Sequence, residues 1–189
     1  VSIKTLTFQI RGVTPILFHN GQTADPLNEW TKRIKSISGK RKKTDADLEK
    51  MAEYEWKAGL YVSSGQVAVS ANMIHGMLIE AAKKEKKGPL AKAGIWFTQD
   101  FFPLTYEGPR EIDELWQDER FRLTVGVRVQ KNRIMRTRPK FDHWELEFSC
   151  DTDDTQINKS DVEGMLEIGG QMVGLGDWRP RYGRFELVK

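Results

Sequence analysis

Cysteine is almost missing from this chain: Cys150 is the single one among 189 residues. One thiol excludes an internal disulfide and any cysteine-rich metal site. Long apolar runs are missing too, and nothing approaches the length that crosses a bilayer. The opening stretch VSIKTLTFQI alternates like a strand and lacks the regions of a secretory signal. No membrane partner is expected, and a cytoplasmic protein is the default reading. No His-x-x-x-His or Cys-x-x-Cys spacing occurs, and DTDD at 151–154 lacks the spacing and terminal glutamate of a calcium loop. Neither a metal nor a cofactor is therefore expected. GLGDWR at 174–179 is no dinucleotide fingerprint, because its third glycine is absent and it precedes a strand.

What is present is charge, unevenly placed. Charged residues make up 30% of the chain, yet the net charge is only +3. Seven Lys/Arg lie between Lys32 and Lys43 without an acid, and six more lie between Arg128 and Lys140, again without one. Acids gather in EIDELWQDE (111–119) and DTDDTQ (151–156). Segregation of this kind creates local positive fields suited to phosphate, which the small total conceals. Solvated loops are the plainer alternative for any one run; two acid-free runs favour nucleic acid.

The length suits one domain, 1–189, with an elaborated insertion. A strand is expected over 3–10, and Pro15 marks an edge or bend in 12–21. Residues 23–66 read as an insertion, mobile around 36–44, with a helix over 45–62 that Asp45 would cap. VAVSANMIHGMLIEAAKKEKK (67–87) is a helix capped by Ser70, its Met73, Ile74, Met77, Leu78 and Ala81 recurring at helical spacing, and Gly88-Pro89 stops it. Strands are expected over 121–130 and 143–150, with the loop 131–142 hanging between them. A second helix over 158–172, capped near Ser160, and a last strand over 183–189 complete the order. Strand, helix, strand, strand, helix, strand is the split βαβ pattern. The expected class is α+β: a ferredoxin-like (RRM-like) antiparallel sheet with two helices, an inserted helical/loop region and a basic hairpin thumb.

Three segments carry the candidate binding residues. The first is the 131–140 finger, with Lys131, Arg133, Arg136, Arg138 and Lys140, which would track phosphates. The second is Lys40, Arg41, Lys42 and Lys43 in the insertion. The third is GLGDWRPRYGRFEL (174–187). There Gly174 and Gly176 could expose backbone N–H groups as an anion nest, and Arg179, Arg181 and Arg184 could clamp phosphates. Trp178 and Tyr182 could stack on bases. A helix stop followed by a flexible loop explains the same glycines equally well.

FQIRGVTPILF, then VAVSANMIHGMLIEAAKK, then GGQMVGLGDWRPRYGRFEL before a final strand together resemble the RAMP superfamily. That superfamily includes the backbone subunits and processing nucleases of CRISPR effector complexes. The resemblance covers both ends of the chain, about half of it, and leaves out 23–66 and 105–119. His75 stands where a lysine is usual in the helix start. The resemblance implies an RRM-like core that binds RNA, guide-like RNA in the backbone members, with a hairpin thumb between the second and third core strands. It implies a homo-oligomer or a multi-subunit ribonucleoprotein. A free-standing relative encoded by a phage or mobile element fits as well, in the cytoplasm of a prokaryote or of the phage's host. Single-stranded DNA remains an alternative ligand, and a protein-interaction module an alternative role.

Catalysis has weaker candidates. RAMP processing nucleases often use a histidine near the first helix, and some backbone subunits cut target RNA with a loop aspartate; these roles would fall to His19 and to Asp25 or Asp45. Histidine suits metal-independent ribonuclease chemistry near neutral pH. His19, His75 and His143 are widely spaced, however, and Asp25-Pro26 reads first as a turn. Non-catalytic binding is the preferred expectation.

Overall fold

The computed structural model describes residues 2–189, apart from the side chains of Val129 and Asn132. In chain order it forms β1 (Ile3–Gly12), β2 (Ile16–Leu17), α1 (Glu29–Ser38), α2 (Asp45–Gly59), β3 (Val62–Ser63), β4 (Gln66–Ser70), α3 (Ala71–Lys84) and α4 (Gly88–Gly94). Then come β5 (Ile95–Trp96), β6 (Phe101–Thr105), α5 (Ile112–Gln117), β7 (Arg122–Val129), β8 (Asn132–Phe141), β9 (Glu145–Asp153), α6 (Lys159–Ile168) and β10 (Phe185–Val188). The chain divides into two compact units: residues 1–17, 62–107 and 141–189 form one, and residues 18–61 and 108–140 the other.

The first unit carries a seven-stranded sheet in the order β10-β1-β9-β6-β4-β3, with β5 beside β9. Taking β1, β6, β9 and β10 as the four framework strands, with α3 after the first and α6 after the third, gives the spatial order four-one-three-two of a ferredoxin-like sheet. The pairings among them are antiparallel. The α+β class is as expected. Ser70 caps α3 through Met73 N–H as expected, and Ile74, Met77, Leu78 and Ala81 are buried.

Three expectations need correction. The second framework strand is Phe101–Thr105, and 121–130 belongs to a separate hairpin in the second unit. Pro103 hides the true strand: proline rarely sits inside a sheet, yet Phe102 and Leu104 are buried on either side of it. Residues 131–142 are not a loop, because β8 runs through them and pairs with β7. Finally, 36–38 closes the helix α1, which Asn28 caps through Trp30 N–H and which carries the Glu29–Arg33 pair. Charge density masked both elements. Cap positions shift slightly as well: Thr44 caps α2 in a capping box with Asp47, and Asn158 caps α6 with Asp161.

The second unit is built from α1 and α2, α5 and the β7–β8 hairpin. Trp56 is fully buried, donates its indole N–H to the Phe121 carbonyl at 2.7 Å and lies 5.6 Å from the Trp116 ring. No helix among the described residues is long and apolar enough to cross a membrane.

Candidate nucleic-acid interface

The glycine–arginine segment folds onto its own unit. The N–H groups of Gly174, Leu175, Asp177 and Gly183 donate to the carbonyls of Gly169, Gly183, Leu17 and Pro15 at 2.7–2.8 Å. The Arg184 N–H donates to the Thr14 hydroxyl at 2.9 Å. Those donors are spent inside the fold, so the Gly174 N–H is not offered to an anion. The glycines serve close backbone approach instead. A Cβ at Gly183 would lie 1.7 Å from the Leu175 carbonyl oxygen, and one at Gly176 2.2 Å from that of Leu17, both at positive φ. Arg179, Arg181 and Arg184 are exposed. Arg179 reaches Glu80 and the Gly174 carbonyl, each at 3.4 Å. Trp178 and Tyr182 are half-buried with ring centroids 6.3 Å apart, and the Arg181 guanidinium lies 5.5 Å from the Tyr182 ring.

The β7–β8 hairpin presents a different arrangement. Gln130 and Lys131 form a two-residue turn, with Gln130 at φ 54°, the left-handed conformation that tight hairpin turns demand. The register places Arg128 directly opposite Arg133. Cross-strand neighbours stand about 5 Å apart at Cβ, and like charges there are destabilising. Lys131 in the turn adds a third cation, and all three residues are exposed. Gly126 clears the path for Arg133, since a Cβ there would meet its Nε at 2.9 Å. The Arg128 Nε–H donates to the Gln130 carbonyl at 3.2 Å, which steadies the tip.

Farther down β8 the arginines are engaged. Arg136 is ion-paired with Glu55 of α2, which also accepts the Thr137 N–H at 3.3 Å. Arg138 and Lys140, half-buried, follow Arg136 at the two-residue spacing of one strand face. A cavity of about 350 Å³ is lined by His19, Thr31, Lys35, Glu55, Arg136 and Arg138, with Thr23 and Ile34 completing it. The 40–43 loop joins α1 to α2. Lys40 pairs with Asp47 at 2.5 Å and Lys43 donates to the Lys40 carbonyl, while Arg41 and Lys42 stand exposed. Lys40 and the Thr44 N–H hold the Asp47 carboxyl below its ordinary range.

The structure therefore brings Arg136 and Arg138 together around one cavity and groups Arg133 with Lys131 at the tip. Sequence reasoning did not single out Arg128, Lys35 or Glu55. A two-residue Gln-Lys turn between the alternating runs of 122–129 and 132–139 was the available signal for Arg128.

The two acidic segments differ: Glu111, Asp113, Glu114 and Glu119 are exposed, whereas the 151–156 segment is turned largely inward. Asp151 and Asp153 are buried. Asp151 accepts the Thr5 hydroxyl. Asp153 accepts the Thr155 hydroxyl at 2.7 Å, the Gln156 amide at 2.9 Å and the Ser2 N–H at 3.2 Å, which together hold its carboxyl far below the usual range. Asp113 pairs with Lys57 and Asp118 with Arg120. Asp25 is a turn residue, its Oδ1 accepting the Leu27 N–H at 2.8 Å, and Asp45 opens α2. His75 lies 6.0 Å from the Phe97 ring with its Nε2 buried, and His143 is exposed. No cluster of metal-ligating groups occurs among the described residues.

The first unit thus carries an antiparallel ferredoxin-like sheet, and the second a separate β7–β8 hairpin. Among solved structures, the chain resembles one from a cryo-EM structure of the Type III-B Cmr-beta bound to cognate target RNA. The identity is 11% and the TM-score 0.51, over 99% of this chain and 59% of that one. A likeness at that identity shows the fold alone, and this chain spans well under two thirds of that chain's length. Cmr6 from Pyrococcus furiosus aligns over the full length of both chains at 9% identity and a TM-score of 0.37. No family model and no curated protein matches the sequence.

Proposed function

We propose that this protein binds single-stranded RNA through backbone phosphates, as a subunit of a ribonucleoprotein assembly, without base-specific readout. The observation that carries the reading is the hairpin tip. Among the described residues Arg128, Lys131 and Arg133 converge there without a counter-ion between the opposed arginines, an arrangement that a polyanion relieves. The solved structure of like fold is itself bound to target RNA. Arginine and lysine on phosphates fix register but not base identity, so little sequence preference is expected. Arg41 and Lys42, the exposed arginines of 179–184, and Trp178 with Tyr182 are the further surfaces a strand would meet. Head-to-tail assembly would set the exposed acids Glu111, Glu114 and Glu119 against a neighbouring copy's basic surface, with Asp151 and Asp153 buried and taking no part.

The test is fluorescence anisotropy on a labelled homopolymeric RNA across a salt series. Substituting Arg128, Lys131 and Arg133 together by Gln should weaken binding steeply. It should also flatten the slope of log affinity against log salt by about 2, given about 0.7 per phosphate contact on single strands. Unchanged affinity and slope would remove the tip from the interface. A matching affinity for single-stranded DNA would widen the ligand class.

A further inference from the structure

In the second unit β7 pairs with β8 alone, and its outer edge is left open. Two bonds made by β8 fix the direction of the backbone. The Thr137 N–H donates to Glu55 at 3.3 Å, and the Pro139 carbonyl accepts the Phe18 N–H at 3.1 Å. Both residues therefore turn their backbone away from β7. Their cross-strand partners Thr124 and Arg122 turn outward in the same way, and the two-residue period extends this to Gly126 and Arg128. The Glu119 carbonyl takes the Arg122 N–H. Among the described residues no other segment pairs with the backbone of Thr124, Gly126 or Arg128 on that side. Leu123, Val125 and Val127 alternate with them on the opposite face, and Ile134 stands across from Val127. All four aliphatics are half-buried, and no side chain of 122–128 is fully buried. An antiparallel strand usually packs one face on a core, and an open aliphatic edge is a template for another strand. At its base the edge borders a cleft of about 470 Å³, which Arg122 and Thr124 line together with Ala46 and Ala52 of α2 and Trp116 of α5.

We propose that the outer edge of β7 docks an extended segment of a partner protein, acidic where it meets Arg128 and aliphatic at alternate positions after it. An added strand would pair with the backbone of Thr124, Gly126 and Arg128 and cover Leu123, Val125 and Val127. A phosphate backbone offers no row of N–H groups and gains nothing from aliphatic side chains, so the occupant is polypeptide. A second copy of β7 would gather the arginines of both strands on one face, where like charges repel. An acid is the better neighbour for Arg128, which already lies opposite Arg133. Docking here is independent of RNA binding at the tip, with Arg128 alone shared.

Fluorescence anisotropy of the full chain with a labelled Glu-Val-Thr-Val-Thr-Val peptide, flanked by Gly-Ser spacers, tests the edge. Bound antiparallel, the peptide sets its glutamate opposite Arg128 and its valines opposite Val127, Val125 and Leu123. Binding should saturate below about 1 mM, and failure to do so would overturn the proposal. N-methylation of the third and fifth residues, whose N–H groups would face β7, should weaken the peptide about tenfold or more. Methylation of the second and fourth, whose N–H groups would face away, should change it by less than about threefold. Equal effects of the two methylations would mean an apolar contact without strand pairing, and would overturn the assignment. Lysine in place of the glutamate should weaken binding roughly threefold, and more at low salt; equal affinity would overturn the acidic partner. On the protein, Thr124→Pro removes an outward N–H and spares the ladder to β8. It should weaken the peptide about tenfold and leave RNA affinity unchanged. Val127 is half-buried, so Val127→Asn, expected to weaken the peptide about fivefold, tests the edge even if Thr124→Pro unfolds, which a melt reports. Folded variants of wild-type peptide affinity would overturn the proposal. Dimerisation of the chain that Thr124→Pro abolishes would assign the edge to a second copy and overturn the partner. Peptide binding by a chain that does not bind RNA would sustain the edge and remove only the role of the tip.

Discussion

Two segments of this chain are rich in arginine, and they use it in opposite ways. Around 174–184 the backbone is locked by bonds to Gly169, Pro15 and Leu17, and the glycines stand where other atoms leave no room for a Cβ. Its arginines are attached to a structure that would exist without them. At the β7–β8 tip the backbone is a simple two-residue turn, and the register sets cation against cation. The first segment spends composition on architecture and the second spends stability on charge. Equal basicity in sequence thus says little about equal availability in space.

The comparison breaks most readily at Gly183. Gly183→Ala should destabilise the protein by about 3–5 kcal/mol, the upper end for single changes, because the methyl group meets a carbonyl at positive φ. Urea titration followed by tryptophan fluorescence measures it. The triple Gln substitution at the tip should leave the urea midpoint unchanged or raise it, while RNA affinity falls roughly 10- to 100-fold at low salt. If the tip variant instead unfolds, the contrast between the two segments is wrong. Glu55→Ala strips the partner from Arg136. Breaking a fully buried pair costs about 3–5 kcal/mol, but Arg136 is about a third exposed, so about 1–2 kcal/mol is expected.

Smaller effects sharpen the architectural side. The Asp153 carboxyl is held below its ordinary range, so its contribution is present above the unfolded value near ~3.9 and is lost as pH falls through the folded one. Asp153→Asn should therefore be less stable than the wild type at neutral pH, and the gap should close in acid. Melting temperatures of both proteins across a pH series give the answer. Smallest of all, iodoacetamide should leave native Cys150 unmodified at neutral pH. Burial, reinforced by Asp151, pushes its thiol up to about 12, and labelling should become complete in denaturant.

How far the structure was legible depended on the competing signals at each place. The Ser70 cap and the spacing of Ile74, Met77, Leu78 and Ala81 spoke with one voice, and α3 formed as read. Phe102 and Leu104 alternate correctly, but Pro103 between them and the brevity of the run argued for a loop, so the longer alternation at 122–129 took the framework role in the reading. In 132–141 the charges concealed a strand whose arginines alternate with Met135, Thr137 and Pro139. The basic loop residues were visible individually. Their pairing was not, because Arg136 meets Glu55 across 81 positions of sequence and nothing local marks that bond. The glycines were noticed for the right reason, tight turning, and assigned the wrong beneficiary.

The pairing of β1 with β9 has a consequence in time. Arg11 and Glu145 are 134 positions apart, and β1 lies between β9 and the still later β10. Contacts of such separation must meet the entropy of closing a long loop before they return anything, which slows folding. During synthesis β1 therefore waits, without its sheet neighbours, until most of the chain has emerged. The β7–β8 hairpin needs only its own turn and can zip as soon as both arms are made. Translation thus presents the charged tip before the sheet is complete, and early exposure of an unpaired β1 is the stage at which this chain is most open to misassociation.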